Sequence, residues 1–129
     1  IVRGGFREDS GTVNAPIGRD PRDRKRMAVT EKNSRHAVTH WEVLERYAGF
    51  THIRCKLETG RTHQIRCQFS SRGLPLWGDK KYSTLPDDGP IALWSHCLHF
   101  AHPETGEVLY FEQQPPDCYP WDRFTELDD

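Results

Sequence analysis

Two neighbouring stretches of alternating residues stand out in the middle of the chain. Within residues 37–47 the alternation places Trp41, Val43 and Tyr47 on one face, and residues 51–57 alternate in the same way after a short Ala-Gly link. A period of two is typical of a strand with one buried face, and a tight link between two such strands predicts a β-hairpin. We therefore expect an antiparallel hairpin here, with one face of each strand in the core.

The pattern changes to a helical period after Gly60. Ile65 and Phe69 lie four residues apart, which puts both on one side of a helix. Thr62 can cap the first turn with its hydroxyl, and Gly73 suits the position after the last turn. The sequence predicts one short amphipathic helix between these two residues.

Glycine and proline divide the rest of the chain into short extended segments. Residues 10–19 and 107–112 are expected to be extended, residues 91–101 to form one or two strands, and residues 121–127 to form a closing helical turn. Strands dominate and their connections are short. We expect a single α+β domain over residues 1–129, with a mainly antiparallel sheet and one or two short helices.

Charge is distributed unevenly along the sequence. The 129 residues carry a net charge of −1, but residues 1–40 and 41–85 are each net +4 and residues 86–129 are net −9. A basic region of this size suits a polyanion, although a mixed solvated surface with an acidic tail explains the same numbers. No apolar run reaches membrane-spanning length and no signal peptide is visible, so we expect a cytoplasmic protein without membrane contact. The first residue is not methionine, which suggests a trimmed chain or a piece of a longer one.

Hydrogen-bond donors gather at the start of the predicted helix. Arg61, His63, Gln64 and Arg66 all lie within its first turns. The free N–H groups and the dipole of a helix N-terminus favour an anion, so a phosphate or carboxylate fits this place. The alternative is that His63 bonds only to backbone and that Thr62 only caps the helix.

A second group of basic residues forms a charged loop that Pro21 keeps from being helical. It is a candidate for contact with the phosphates of a polyanion, and the alternative is a solvated loop with local ion pairs to Asp20 and Asp23. The basic members are Arg19, Arg22, Arg24, Lys25 and Arg26.

Histidine and cysteine near residue 100 invite a metal-site interpretation that the spacing does not support. On a strand Cys97 and His99 share one face while His96 and His102 share the other, so four ligands do not converge. We expect no metal, and we expect His102 to bond locally. The four cysteines contain no C-x-x-C pair and are expected to be free thiols.

Residues 57–82 (L-E-T-G-R-T-H-Q-I-R-C-Q-F-S-S-R-G-L-P-L-W-G-D-K-K-Y) resemble the third motif of the RluA-type pseudouridine synthases, which convert uridine to pseudouridine in ribosomal and transfer RNA. The resemblance extends in order along most of the chain. The further matching segments are G-T-V-N-A-P-I-G-R at 11–19, R-K-R-M-A-V at 24–29, the strand at 37–44, G-L-P-L-W-G-D-K-K-Y at 73–82 and the L-H-F-A-H-P-E-T-G segment at 98–106.

The resemblance implies a specific reaction and specific roles. Enzymes of this family use no cofactor, turn the target uridine out of the RNA stack, and attack it with an aspartate that pairs with an arginine. By motif position that arginine is Arg66, which is thus the expected catalytic residue, and Arg61 is expected beside the same pocket. The expected RNA-binding residues are Arg61, Thr62, His63, Gln64, Arg19, Arg24, Lys25 and Arg26.

The family's nucleophile motif, H-R-L-D, is not found in this sequence. Asp20, Asp23 and Asp79 lie near the basic segments, but none has that context, and Asp79 is expected to bond to a turn. The chain therefore resembles the C-terminal part of a catalytic domain, and we expect it to need the missing N-terminal half as a partner and to be inactive alone. Arg66 is expected to face a carboxylate from that half, and an internal ion pair far from any open cleft would overturn the enzymatic interpretation.

Two other functions stay open at this point. One is a non-catalytic RNA-binding module derived from the same family, which would also take ribosomal or transfer RNA as its partner. The other is a structural or metal-binding domain without RNA affinity, which would instead show bound metal.

Overall fold

A computed structural model describes residues 1–87 and 89–123 of the chain. Within these ranges the protein is mainly antiparallel sheet with one short α-helix, which confirms the expected α+β class. The elements are β1 Val2–Arg3, β2 Ser10–Asn14, β3 Ile17–Arg19, β4 Met27–Val29, β5 Ser34–Arg35, β6 Val38–Tyr47, β7 Phe50–Leu57, α1 Gln64–Ser71, β8 Cys97–Ala101, β9 Val108–Glu112 and a 3-10 turn Trp121–Arg123.

The largest sheet has four strands in the order β1-β7-β6-β2. Its centre is the predicted hairpin of β6 and β7, which turns at Gly49 with a φ of 87°. A bulge after Val43 inserts one extra residue into β6, so that Val43 pairs with Ile53 while Glu45 pairs with His52. The extra residue reverses the alternation, and the prediction that Tyr47 shares the buried face of Val43 is wrong: Tyr47 is 49% exposed.

A smaller sheet, ordered β4-β3-β5, lies beside the first and carries the basic loop. The predicted charged loop connects β3 to β4, and its two ends pair as neighbouring strands through Arg19 and Met27. Strand β2 of the main sheet and strand β3 of this one confirm the extended structure expected at residues 10–19. The loop therefore begins and ends at fixed backbone positions.

Helix α1 packs on the main sheet through Phe69, which is fully buried. The predicted cap is wrong, because the residue at the N-cap is His63, with a left-handed φ of 54° and no side-chain capping bond. The predicted end is confirmed, since Gly73 has a φ of 78° and its N–H donates to the carbonyl of Ser70 at 3.0 Å. Because His63 has a left-handed backbone conformation, its side chain leaves the chain in a different direction from the side chains within the helix.

Two apolar clusters lie on opposite faces of β7, where the sequence predicted only one buried face. Ile53 and Cys55 contribute to the cluster under α1, and Phe50 points the other way to the second cluster, against Trp77. Residues 90–96 are not strand, so the predicted extended segment at 91–101 is confirmed only from Cys97 onward.

Strands β8 and β9 pair only with each other among the described residues. The side chains of one face, which are apolar and largely exposed, are Leu98, Phe100, Leu109 and Phe111. His102 bonds locally as predicted, because its Nδ1 accepts the backbone N–H groups of Glu104 and Thr105 at 3.1 and 3.3 Å.

Other expectations concern metals, membranes and the end of the chain. The described part of the chain holds no cluster of three or more His, Cys, Asp or Glu side chains suited to a metal ion. None of its helices is long and apolar enough to cross a membrane. The closing turn expected at 121–127 is seen at Trp121–Arg123, and its remainder lies outside the described residues.

Candidate functional site

Arg66, the expected catalytic residue, is held by a carboxylate of the same chain. Its Nε donates to Oδ2 of Asp79 at 3.0 Å and its Nη2 donates to Oδ1 at 2.9 Å. Parallel bonds of this kind fix the plane of the guanidinium as well as its position. Helix α1 supplies the arginine and the turn after Gly78 supplies the aspartate, so the pair joins two separate segments of the chain.

The Asp79 side chain is fully buried and is also bonded to its own turn. Its Oδ1 accepts the backbone N–H groups of Lys81 and Tyr82, each at 3.1 Å. This confirms the predicted role of Asp79 in a turn. Burial alone would raise the pKa of Asp79, but the hydrogen bonds from Arg66 and from the two amides outweigh it, and the pKa lies below its usual value.

The expectation that Arg66 would find its carboxylate only outside this sequence needs correction. An internal ion pair exists, yet 22% of the Arg66 side chain remains exposed. Guanidinium has five N–H donors, and Nη1 makes no hydrogen bond to any residue in the ranges 1–87 and 89–123. The second edge of the guanidinium therefore has donors left for another oxygen ligand, and the Arg66 side chain is partly exposed.

Tyr82 connects this pair to the helix N-cap and to the basic loop. Its hydroxyl lies 2.7 Å from Nδ1 of His63 and 3.0 Å from the backbone nitrogen of Met27. The guanidinium carbons of Arg26 and Arg66 lie 4.6 and 5.1 Å from the centre of its ring. Tyr82 thus brings Arg66, His63 and Arg26, three of the predicted site residues, to one place.

Lys81 ties the basic loop to the same turn. Its Nζ donates to the carbonyl of Lys25 at 2.9 Å, and its own carbonyl accepts a bond from Nη1 of Arg26 at 3.1 Å. Sequence reasoning assigned no functional role to Lys81 or Tyr82. The signal was present, since both lie in the G-D-K-K-Y segment of the matched motif.

Three of the predicted RNA-binding residues at the helix entrance, Gln64, Thr62 and Arg61, differ in how far their side chains are buried. Gln64 is 3% exposed, and its amide bonds to Thr59, Arg61, Val38 and Thr39. Both the oxygen and the NH₂ group of this amide bond inside the protein, so Gln64 fixes the start of the helix, and its contact with RNA stays a prediction. Thr62 is exposed. Arg61 is partly exposed, and its Nε donates to the carbonyl of His36 at 2.8 Å.

The tip of the basic loop forms a separate cationic surface. Asp20 and Asp23 accept backbone N–H groups of the loop itself, at 2.9 Å from Arg22 and 3.1 Å from Lys25. A cavity of about 310 Å³ opens beside it, lined by Arg19, Pro21, Arg24, Lys32 and Asn33. The interleaved acids thus shape the loop, and basic side chains face the cavity.

The chain matches the family model described as RNA pseudouridylate synthase over residues 1–71, which is more than half of its length. The chain belongs to the RNA pseudouridylate synthase family. All elements from β1 to α1 lie within the matched range, including the helix that carries Arg66. The resemblance inferred from the motifs is thereby confirmed.

Individual members of the family agree with this assignment. The RNA pseudouridine synthase YlyB of Bacillus subtilis is 48% identical over 120 residues, which cover 91% of this chain and 39% of the relative. Ribosomal large subunit pseudouridine synthase D of Nitrosomonas europaea is 45% identical over 85% of this chain and 35% of its own. The chain therefore spans about two fifths of the curated relatives it matches.

A solved structure in the family shares the fold. Human RNA pseudouridylate synthase domain containing 1 superimposes with a TM-score of 0.81 at 26% identity, over 99% of this chain and 59% of that protein. The exposed β8–β9 hairpin thus falls within the superimposed region of a larger pseudouridylate synthase structure.

Proposed function

We propose that the whole protein isomerises uridine to pseudouridine in ribosomal or transfer RNA, without a cofactor. Its nucleophilic aspartate would come from a segment outside this sequence, and Arg66 would bind that aspartate. The observation that carries the proposal is the geometry of Arg66, which is fixed by Asp79 on one edge and has Nη1 available on the other. Family membership supplies the reaction class.

Asp79 changes what Arg66 can contribute to the reaction. A guanidinium that already pairs with one carboxylate has a smaller net field for a second one, so it lowers the pKa of the nucleophile less than a free arginine would. The N–H groups of Arg66 nevertheless form hydrogen bonds in fixed directions. We infer that Arg66 acts mainly by orienting the nucleophilic aspartate towards the flipped uridine.

The RNA would lie along the basic residues around and beyond this point. Arg26 lies at the Tyr82 ring beside Arg66, and Arg19 and Arg24 line the neighbouring cavity. Because the loop connects the two places, one RNA strand can contact both. Names of the relatives in the rRNA-modifying group favour ribosomal over transfer RNA for the substrate. We also propose a cytoplasmic location, where four free cysteines stay reduced.

Tritium release from RNA containing uridine labelled at carbon 5 tests the activity. The whole protein is expected to release tritium, the Arg66→Ala variant to be slower by at least about a hundredfold, and residues 1–129 alone to give only background. Release by residues 1–129 alone would disprove the assignment of the nucleophile to another segment. RNA binding without release by the whole protein would instead favour the non-catalytic module.

Salt dependence of RNA binding tests the role of the loop. Replacing Arg24, Lys25 and Arg26 with alanine should reduce the slope of log affinity against log salt by about 2, because each lost phosphate contact removes about 0.7 to 0.9. The matched control replaces the same number of charges elsewhere, at Arg7, Lys56 and Arg72, and should change the slope less. Equal slopes for the two triple variants would show that the loop does not touch phosphate.

A further inference from the structure

We propose that Tyr82 holds His63 in the tautomer with its proton on Nε2, so that His63 is a neutral hydrogen-bond donor to an oxygen of the bound RNA. In this role Tyr82 is a positioning residue. The inference rests on the proposed RNA-binding function for its final step, but the tautomer itself follows from the contacts within the chain.

The position of the phenol proton decides the tautomer. The hydroxyl oxygen of Tyr82 accepts the backbone N–H of Met27 at 3.0 Å, and a backbone N–H can only donate. The phenol has one proton of its own, and the other polar atom within reach is Nδ1 of His63, at 2.7 Å. That proton therefore points to Nδ1, which must be the unprotonated nitrogen of the ring.

The opposite tautomer would leave a buried donor without an acceptor. Tyr82 is 6% exposed, and its hydroxyl has no further hydrogen-bond partner among the described residues. If Nδ1 carried the proton, it would donate to the phenol oxygen, and the phenol O–H would have no acceptor. Unsatisfied buried donors are costly, so this arrangement is disfavoured.

Tyr82 cannot easily turn away from His63. Its carbonyl accepts a bond from Oγ of Ser70 at 2.6 Å, and its N–H donates to Asp79 at 3.1 Å. The backbone is therefore fixed on both sides, once by helix α1 and once by the turn that holds Arg66. The rings of Tyr82 and His63 meet edge to face, with centroids 5.5 Å apart.

Charges around His63 also oppose its protonation. Burial lowers the pKa of His63 first, and the positive charges of Arg66 and Lys81 lower it further, while Asp79 acts in the opposite direction. His63 is thus neutral near pH 7, and its Nε2–H forms no hydrogen bond within residues 1–87 and 89–123.

A donor of this type complements the arginines around it. Arginine side chains attract any phosphate. A neutral N–H at a fixed angle binds only an acceptor at one position, such as a base carbonyl, a ribose oxygen or a single phosphate oxygen. The left-handed N-cap, with a φ of 54°, determines where that donor lies.

Nitrogen NMR of residues 1–129 tests the tautomer directly. The ring nitrogens of His63 in the uniformly labelled protein at pH 7 should show a protonated Nε2 and an unprotonated Nδ1. The Tyr82→Phe variant keeps the ring contacts but lacks the hydroxyl, and its His63 signals should shift towards a mixture of tautomers. A protonated Nδ1 in the wild type, or unchanged signals in Tyr82→Phe, would overturn the proposal.

Substitution of His63 tests the donor role with RNA. Glutamine places an amide N–H near the position of Nε2 and should keep RNA affinity within about twofold, whereas His63→Ala should weaken it by about threefold to tenfold, as expected for one hydrogen bond. Tyr110→Phe removes an exposed hydroxyl at a distant site and is the matched control for Tyr82→Phe.

The outcomes separate this inference from the proposed function. If the protein binds RNA and His63→Ala binds as well as the wild type, only the donor role fails. If the wild type does not bind RNA at all, both the proposed function and the donor role fail, while the NMR result still decides the tautomer.

Discussion

The Asp79 carboxylate accepts four hydrogen bonds. Two come from Arg66 and two from the amides of Lys81 and Tyr82. A single carboxylate thus fixes the arginine, shapes the turn and places the tyrosine. Any substitution of Asp79 is therefore expected to change both the stability of the fold and the geometry around Arg66.

Asp79→Asn tests this residue. It replaces one acceptor oxygen with an NH₂ group that faces the guanidinium, and it should cost about 3 kcal/mol of unfolding free energy because it leaves a partly buried arginine without its partner. Urea denaturation at pH 7 measures the loss. Asp117→Asn, on an exposed residue of the same type, should change stability by less than about 0.5 kcal/mol.

The pH dependence of the same variant has a definite sign. The pKa of Asp79 is lowered on folding, so its contribution is fully present above the unfolded value of 3.8 and is lost as the pH falls through the lower folded value. The wild type should lose this contribution on acidification below about pH 4, and Asp79→Asn should lack that part of the decline. Parallel stability curves for the two proteins between pH 2.5 and 5, all else equal, would contradict the assignment.

Strand β6 shows how one inserted residue changes an element. The alternation of residues 37–47 predicted the hairpin correctly, since local pattern determines strand and turn. The bulge after Val43 left no mark in that pattern, because it arises from pairing with β7 and with the core. In the facing strand, the first three residues of β7 are buried, and His52 there contacts Trp121, which packs against the second cluster.

The burial of His52 in β7 should make the stability of the fold depend on pH. It is 4% exposed, its ring meets that of Trp121 at 5.5 Å, and burial lowers its pKa to about 4. An unfolded histidine takes up a proton near pH 6.5, so the unfolded state binds more protons between these values and stability falls with falling pH, by about 3 kcal/mol in all.

His52→Phe should remove that decline between pH 6.5 and 4 while keeping an aromatic ring in the cluster. Chemical denaturation across this range measures it, and His36→Gln, on an exposed histidine, is the control. A decline as steep in His52→Phe as in the wild type would mean that another group causes it.

Helix α1 illustrates the limits of sequence reasoning at the scale of an element. Its apolar spacing and its glycine end were predictable because both depend on residues a few positions apart. The N-cap was not, because His63 takes a left-handed conformation that Tyr82, nineteen residues later in the chain, stabilises through a hydrogen bond. The burial of Gln64 was missed for a related reason, since two of its four partners, Val38 and Thr39, lie 26 and 25 residues earlier in the chain, in strand β6.

At the scale of the whole molecule, the order of motifs was enough to identify the family and the fold class. The site was predicted in part: Arg66, His63 and Arg26 do come together, but the residues that join them, Asp79 and Tyr82, act through contacts that no local pattern reveals. Sequence motifs give the residue types of a site, and tertiary contacts decide which of them face inward.

The β8–β9 hairpin leads to a prediction about the isolated chain. Two-stranded sheets are marginally stable without a covering layer, and one face of this hairpin exposes a continuous apolar surface with the rings of Phe100 and Phe111 5.9 Å apart. We expect residues 1–129 alone to self-associate as concentration rises, measured by sedimentation velocity.

Phe100→Ser with Phe111→Ser should shift that self-association to higher concentration. The matched control changes the opposite face, with Val108→Thr and Tyr110→Ser. A monomer at all concentrations in the wild type, or an equal shift in both double variants, would show that this face is not responsible.

The hydrogen bonds that join Lys81 to the basic loop divide that loop into a fixed part and an outer part. The two parts differ in how well they can tolerate substitutions. The C-terminal end of the loop is bound through the Lys25 carbonyl and Arg26, directly beside Arg66, while Arg22 and Arg24 extend outward as exposed residues. On the proposed function, substitutions at these outer positions are expected to change which RNA is bound without disturbing Arg66. Related enzymes would then differ in target choice through a few loop residues while they keep the same arginine and its aspartate partner.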